Sequence, residues 1–245
     1  VGDGAVYVVI AVRAARSTGV SLRPGFDGVS GAAASGGWLF LRTASLRAAL
    51  LASVVVASSL GVVQLGAFQI ALTIFSTLAF ILDALAVAGQ AMIGHGLGSA
   101  DVPRVAAVTR RLIGWGVVSG VVLGGLLALA APFAGPVFSP DPAVQDALTV
   151  TLLVMAAGIP LAGFVFVLDG VLIGAGDARY LAIAGLVTLA LYSPLLLAVG
   201  ILRPEGAAGL VWLWAAFGFG YMSARALTLG LRARGTRWIV TGAPA

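Results

Sequence analysis

Two aspartates interrupt segments that are otherwise apolar enough to cross a membrane. They are Asp83 in LTIFSTLAFILDALAVAGQAMIG and Asp169 in LLVMAAGIPLAGFVFVLDGVLIGAG. A carboxylate at bilayer depth is costly, so it faces a bundle interior or a water-filled cavity, where it can take up and release protons. That is the chemistry of a proton-coupled carrier. Stepping three or four residues at a time through Asp83 gives Gln69, Thr73, Ser76, Phe80, Asp83, Val87, Gln90 and Gly94. These share one helix face, which gathers most polar side chains of the segment and reads as the lining of a pathway. The same stepping through Asp169 gives Thr151, Met155, Gly158, Ala162, Val165, Asp169, Ile173 and Gly176, a small and apolar stripe. It fits a structural carboxylate as well as a functional one. Gln69, Gln90 and Tyr192 join the two aspartates as candidate pathway residues.

Other chemistry finds little support. His95 is the single histidine, in the glycine-rich GHGLG. A metal site needs three or four ligands, so no metal is expected, and His95 reads as an interfacial helix-end residue. Gly94, Gly96 and Gly98 follow a helical pattern rather than a strand, and their spacing is wrong for a dinucleotide fingerprint. There is no P-loop, no HExxH and no workable Ser–His–Asp set. Without cysteine there is no disulfide framework, thiol nucleophile or thiolate site. No cofactor and no enzymatic activity are expected.

The elements that must hold these aspartates are membrane helices. The chain is 60% hydrophobic and 9% charged, against about 25% charged in soluble domains, and its mean hydropathy is +1.10. Long apolar runs favour helices over a β-barrel. Six spans are expected: about Trp38 to Leu60, Ala67 to Gly96, Arg111 to Pro132, Asp146 to Gly176, Tyr180 to Leu202 and Ala207 to Leu229. Residues 1–16 resemble the end of a helix whose start is missing, and 17–37, rich in Gly and Ser, read as a linker. Residues 38–231 would form the membrane lobe and 232–245 a cytoplasmic tail.

All fourteen basic residues are arginine. With the linker cytoplasmic, thirteen of them fall on the inner side and only Arg203 outside, a positive-inside pattern. They therefore read as topology signals near helix ends rather than as a nucleic-acid surface. Gly116, Gly120 and Gly124 form two overlapping GxxxG steps, suited to close helix packing inside the bundle. Pro160 and Pro194 lie within spans as candidate kinks.

Three stretches carry a family resemblance. LGAFQIALTIFSTLAFILDALAVAGQAMIGHGLGSAD resembles the eighth helix and following loop of the multidrug and toxic-compound extrusion (MATE) family, in its DNA-damage-inducible protein F-like branch. FVLDGVLIGAGDARYL resembles its tenth helix and inner turn, and VPRVAAVTRRLIGWG the basic segment entering the ninth. The resemblance implies an all-α polytopic fold, here the six-helix C-terminal lobe of a twelve-helix transporter, present as a fragment. It implies export of amphipathic or cationic small molecules in exchange for protons, or sodium, across a prokaryotic plasma membrane. The partners would be that substrate, the coupling ion, membrane lipid and the missing first lobe, and no nucleic acid. The main proton site of that branch lies in the first lobe, and the tenth-helix acid of sodium-coupled relatives would fall near Ala162. Two alternatives are a lipid-linked oligosaccharide flippase, which should carry arginines inside its spans, and a non-transporting membrane scaffold.

Overall fold

The computed structural model describes residues 27–241, with side chains from residue 33. The expected helix remnant at 1–16 and the first part of the 17–37 linker lie outside the described residues. The chain divides into Val1–Gly36 and Gly37–Ala245. Of the first unit, only the opening turns of one helix are described.

That helix, α1, spans Asp27–Leu60. It begins inside the stretch read as a linker, where Ala32, Ala33 and Ala34 supply the strongest helix former among the glycines and serines. α2 spans Val62–Gly98, α3 Val102–Phe138, α4 Pro142–Gly174 and α5 Ala178–Leu202. The last span is made of α6 (Ala208–Ala215), a π-helical turn (Ala216–Tyr221) and α7 (Met222–Arg234) in unbroken succession. No strand occurs among the described residues. Helices α1 to α5 are each long and apolar enough to cross a membrane. At 37 residues, α2 and α3 each run about 55 Å, well beyond a hydrocarbon core of about 30 Å. α3 begins nine residues before the expected Arg111, so Arg104 and Arg110 belong to the helix.

The helix starts are set by local chemistry. Asp101 accepts from the Arg104 amide at 3.1 Å, and Asp141 from the Ala143 amide at 2.9 Å. Each satisfies an amide that the first helical turn leaves free, and a proline follows within two residues, where its missing N–H costs nothing.

α4 is the central helix of the lobe, packing against α2, α3, α6 and α7. Glycine sets how closely its neighbours approach. A methyl group on Gly116, Gly120 or Gly124 of α3 would lie 2.6 Å from the Gly163 carbonyl, 2.7 Å from Pro160 Cα or 2.5 Å from the Ala156 carbonyl. The GxxxG face therefore packs inside the bundle, against α4. On the other side, Gly170 and Gly174 press on the α2 backbone at Ala86 and Gln90. Pro160 and Pro194 sit within continuous helices.

Candidate functional site

Asp83 and Asp169, 86 positions apart in the sequence, line one cavity of about 250 Å³. Its walls come from α1, α2, α4 and α7. α1 contributes Arg42 and Arg47, α2 contributes Phe75, Ser76 and Asp83, α4 contributes Asp169, and α7 contributes Arg225. The close approach of Gly170 to Ala86 brings the two aspartate-bearing helices together, one residue from Asp169 and three from Asp83.

The two carboxylates have different surroundings. Asp169 is buried, at 9% exposure. Its Oδ1 accepts from Arg225 Nη2 at 2.7 Å, and its Oδ2 lies 3.1 Å from Arg42 Nη2. Arg225 is itself 3% exposed and donates from Nη1 to the Leu181 carbonyl at 3.2 Å. One acid thus ties α1 to α7 through α4, and Arg225 reaches on to α5. A buried charge is tolerated when it is paired and hydrogen-bonded, and here every member of the triad has a partner. Asp83 is exposed and makes no ion pair or hydrogen bond among the described residues.

The whole stripe through Asp83 is exposed. Gln69, Thr73, Ser76, Phe80, Val87, Gln90 and Gly94 are all exposed, and Ser76 and Phe80 line the cavity with Asp83. Its three hydroxyl neighbours are quiet: Thr73, Ser76 and Thr77 each donate back to the carbonyl four residues earlier. The opposite side of α2, with Ala71, Phe75, Leu82, Ala86 and Ile93, is buried. Gln69 and Gln90 share the stripe with Asp83 but do not line the cavity.

Tyr192 is elsewhere. It is fully buried, its hydroxyl 2.7 Å from Ser53 Oγ on α1, and its ring makes edge contacts with Phe217 and Tyr221. It does not line the cavity with the two aspartates, and it fastens α5 to α1. His95 is exposed near the end of α2, and no group of three potential metal ligands occurs among the described residues.

A model of the MatE family matches residues 40–202. The chain belongs to the MatE family. Among its relatives, Protein DETOXIFICATION 43 of Arabidopsis thaliana is 32% identical over 192 residues, 78% of this chain and 35% of that protein. Protein DETOXIFICATION 42 of the same plant is 35% identical over 167 residues, 68% of this chain and 31% of that one. A MOP superfamily transporter from Pyrococcus furiosus superposes with a TM-score of 0.73 at 18% identity, over 85% of this chain and 46% of its own. A MATE crystallised with MaL6 gives 0.74 at 18% identity, over 85% and 47%. This MatE chain thus spans about a third of these curated relatives and just under half of these solved chains. The fold is that of a membrane lobe from this group.

The arginines are the part of the site that sequence reasoning missed. Arg42 and Arg225 were expected to mark topology at helix ends, yet both lie within helices and hold Asp169. Hydropathy cannot separate an arginine that reaches back to the interface from one that turns inward to an acid. The available signal was cost: an arginine inside an apolar span calls for a partner, and Asp169 is an acid in the same bundle.

Proposed function

We propose that this chain is the second lobe of a secondary active exporter, and that Asp83 is the carboxylate on its transport path. One observation carries the reading: the polar stripe of α2, with Asp83 at its centre, is exposed in the isolated lobe. A carboxylate within a membrane-spanning helix does not face lipid. The stripe therefore faces water or an opposing lobe, with Gln69 and Gln90 beside Asp83 along the pathway. The share of its relatives that the chain spans supports an opposing lobe on another segment. Asp83, free of any ion pair among the described residues, is the group available for proton exchange. Asp169 acts as a positioning residue that sets the shape of the cavity. The arginine-rich ends of the helices would face the cytoplasm of a prokaryotic cell, with the C-terminus inside.

The cavity is not simply acidic. Arg42 and Arg225 are engaged by Asp169, and Arg47 and Asp83 remain as one unpaired charge of each sign among the described residues. Three arginines against two aspartates leave the lining one positive charge in excess, so within the amphipathic or cationic class that the resemblance implies the substrate need not be a cation.

The test is efflux from cells carrying the two-lobed transporter, with a cationic and an anionic fluorescent dye, at two external pH values. Asp83→Asn is expected to abolish pH-driven efflux while membrane insertion stays normal. Unchanged efflux would reduce Asp83 to a surface residue of the lobe and place the coupling in the other lobe.

A further inference from the structure

A second cavity, of about 490 Å³, lies away from the aspartates, between α3, α4, α7 and the segment after α7. Its walls are apolar: Ile113, Phe164, Leu168 and Leu231. Its polar rim carries two arginines, Arg110 and Arg234, and no carboxylate among the described residues lines it. The ion pairs among the described residues are Arg42–Asp169, Arg225–Asp169 and Arg232–Asp177. Arg110 and Arg234 belong to none, and both are exposed. Two other polar side chains of the lining are occupied. Thr109 donates to the Val105 carbonyl at 2.8 Å, and the Trp238 indole N–H to the Ala233 carbonyl at 3.3 Å.

We infer that this cavity binds one acidic phospholipid, its phosphate between Arg110 and Arg234 and an acyl chain along the apolar wall. The charge is complementary, because two guanidiniums with no acid beside them among the described residues favour a phosphodiester anion. Basic pockets between helices at the membrane surface hold lipid headgroups in this manner. The apolar part decides between a lipid and a free phosphate. Leu227 and Leu231, which line the cavity, are 62% and 58% exposed, so the wall opens sideways onto the outer surface of α7. Trp115, 63% exposed, stands on α3 five residues beyond Arg110, a residue type favoured at the headgroup level. The inference stands apart from the transport reading, since it requires only a membrane-embedded lobe.

The experiment is native mass spectrometry of the 245-residue chain in mild detergent, with palmitoyl-oleoyl phosphatidylglycerol or phosphatidylcholine added. One phosphatidylglycerol should be retained per chain, about tenfold more tightly than phosphatidylcholine. The double variant R110Q/R234Q should bring the two lipids level, with size-exclusion profile and helicity unchanged. R111Q removes an equal charge from the next residue, outside the cavity lining, and should keep the preference. Equal retention of both lipids by the parent chain would overturn the proposal, as would a loss in R111Q matching that in the double variant. Full displacement of the lipid by millimolar inorganic phosphate would also overturn it, in favour of a water-soluble anion.

Discussion

Asp83 and Asp169 share a cavity and a residue type, and they differ in what surrounds them. Asp169 is enclosed by two arginines and buried, while Asp83 is exposed and unpaired among the described residues. The same carboxylate is thus spent once on architecture and once left available. The stripes around them differ in the same sense. The one through Asp169 disappears into the core from Thr151 to Asp169, and the one through Asp83 stays outside along its length. A polar atom inside a membrane protein is informative chiefly through its partners, since burial with partners holds the fold and exposure without them leaves chemistry free.

The sharpest way to break this comparison is to remove the buried acid. Asp169→Ala leaves Arg225 charged and nearly enclosed, and losing one member of a buried pair costs about 3–5 kcal/mol. The lobe should unfold at markedly lower denaturant in a detergent titration followed by circular dichroism. A loss below about 1 kcal/mol would mean that Arg225 finds water or another acceptor, and the contrast between the two aspartates would collapse.

Next in size is the contact that brings the aspartates to one cavity. Gly170→Ala drives a methyl group into the Ala86 backbone, which cannot move aside as a side chain would. Overpacking of this kind costs about 1–3 kcal/mol, and α2 should separate from α4. A spin label on each helix would report a longer distance between α2 and α4. An unchanged distance would show that the two helices are held by other contacts.

The smallest effect belongs to Asp83. Asp83→Asn should leave stability within about 0.5 kcal/mol, as expected for an exposed side chain with no partner. The same titration measures it. A larger loss would reveal a structural partner and would bring Asp83 closer to Asp169 in kind.

Much of the lobe was legible in the sequence, for particular reasons. Apolar runs long enough to cross a bilayer marked the helices, because in hydrocarbon the backbone must satisfy itself within each one. The sixth span was found as a span, but its π turn at Ala216–Tyr221 was not, since an added residue in a turn leaves no mark on hydropathy. The glycine steps of α3 announced close packing, and α4 supplied the partner. The early start of α1 at Asp27 was hidden by glycines and serines, which lower helix propensity without forbidding the helix. The burial of Tyr192 was not legible, because a tyrosine in a membrane helix carries the same letter whether it lines a path or closes a core.

The sequence by itself determined the membrane class, the approximate places of the spans, and the two intramembrane aspartates as the residues to watch. Those follow from hydropathy and from the cost of a charge in hydrocarbon, which are properties of single segments. The tertiary structure alone decided that the aspartates meet at one cavity, that Arg42 and Arg225 close on Asp169, and that Asp83 is left open. Those depend on which faces four helices turn toward one another. The backbone contact at Gly170 and pairing across 56 residues settle that, and neither can be read from one segment alone.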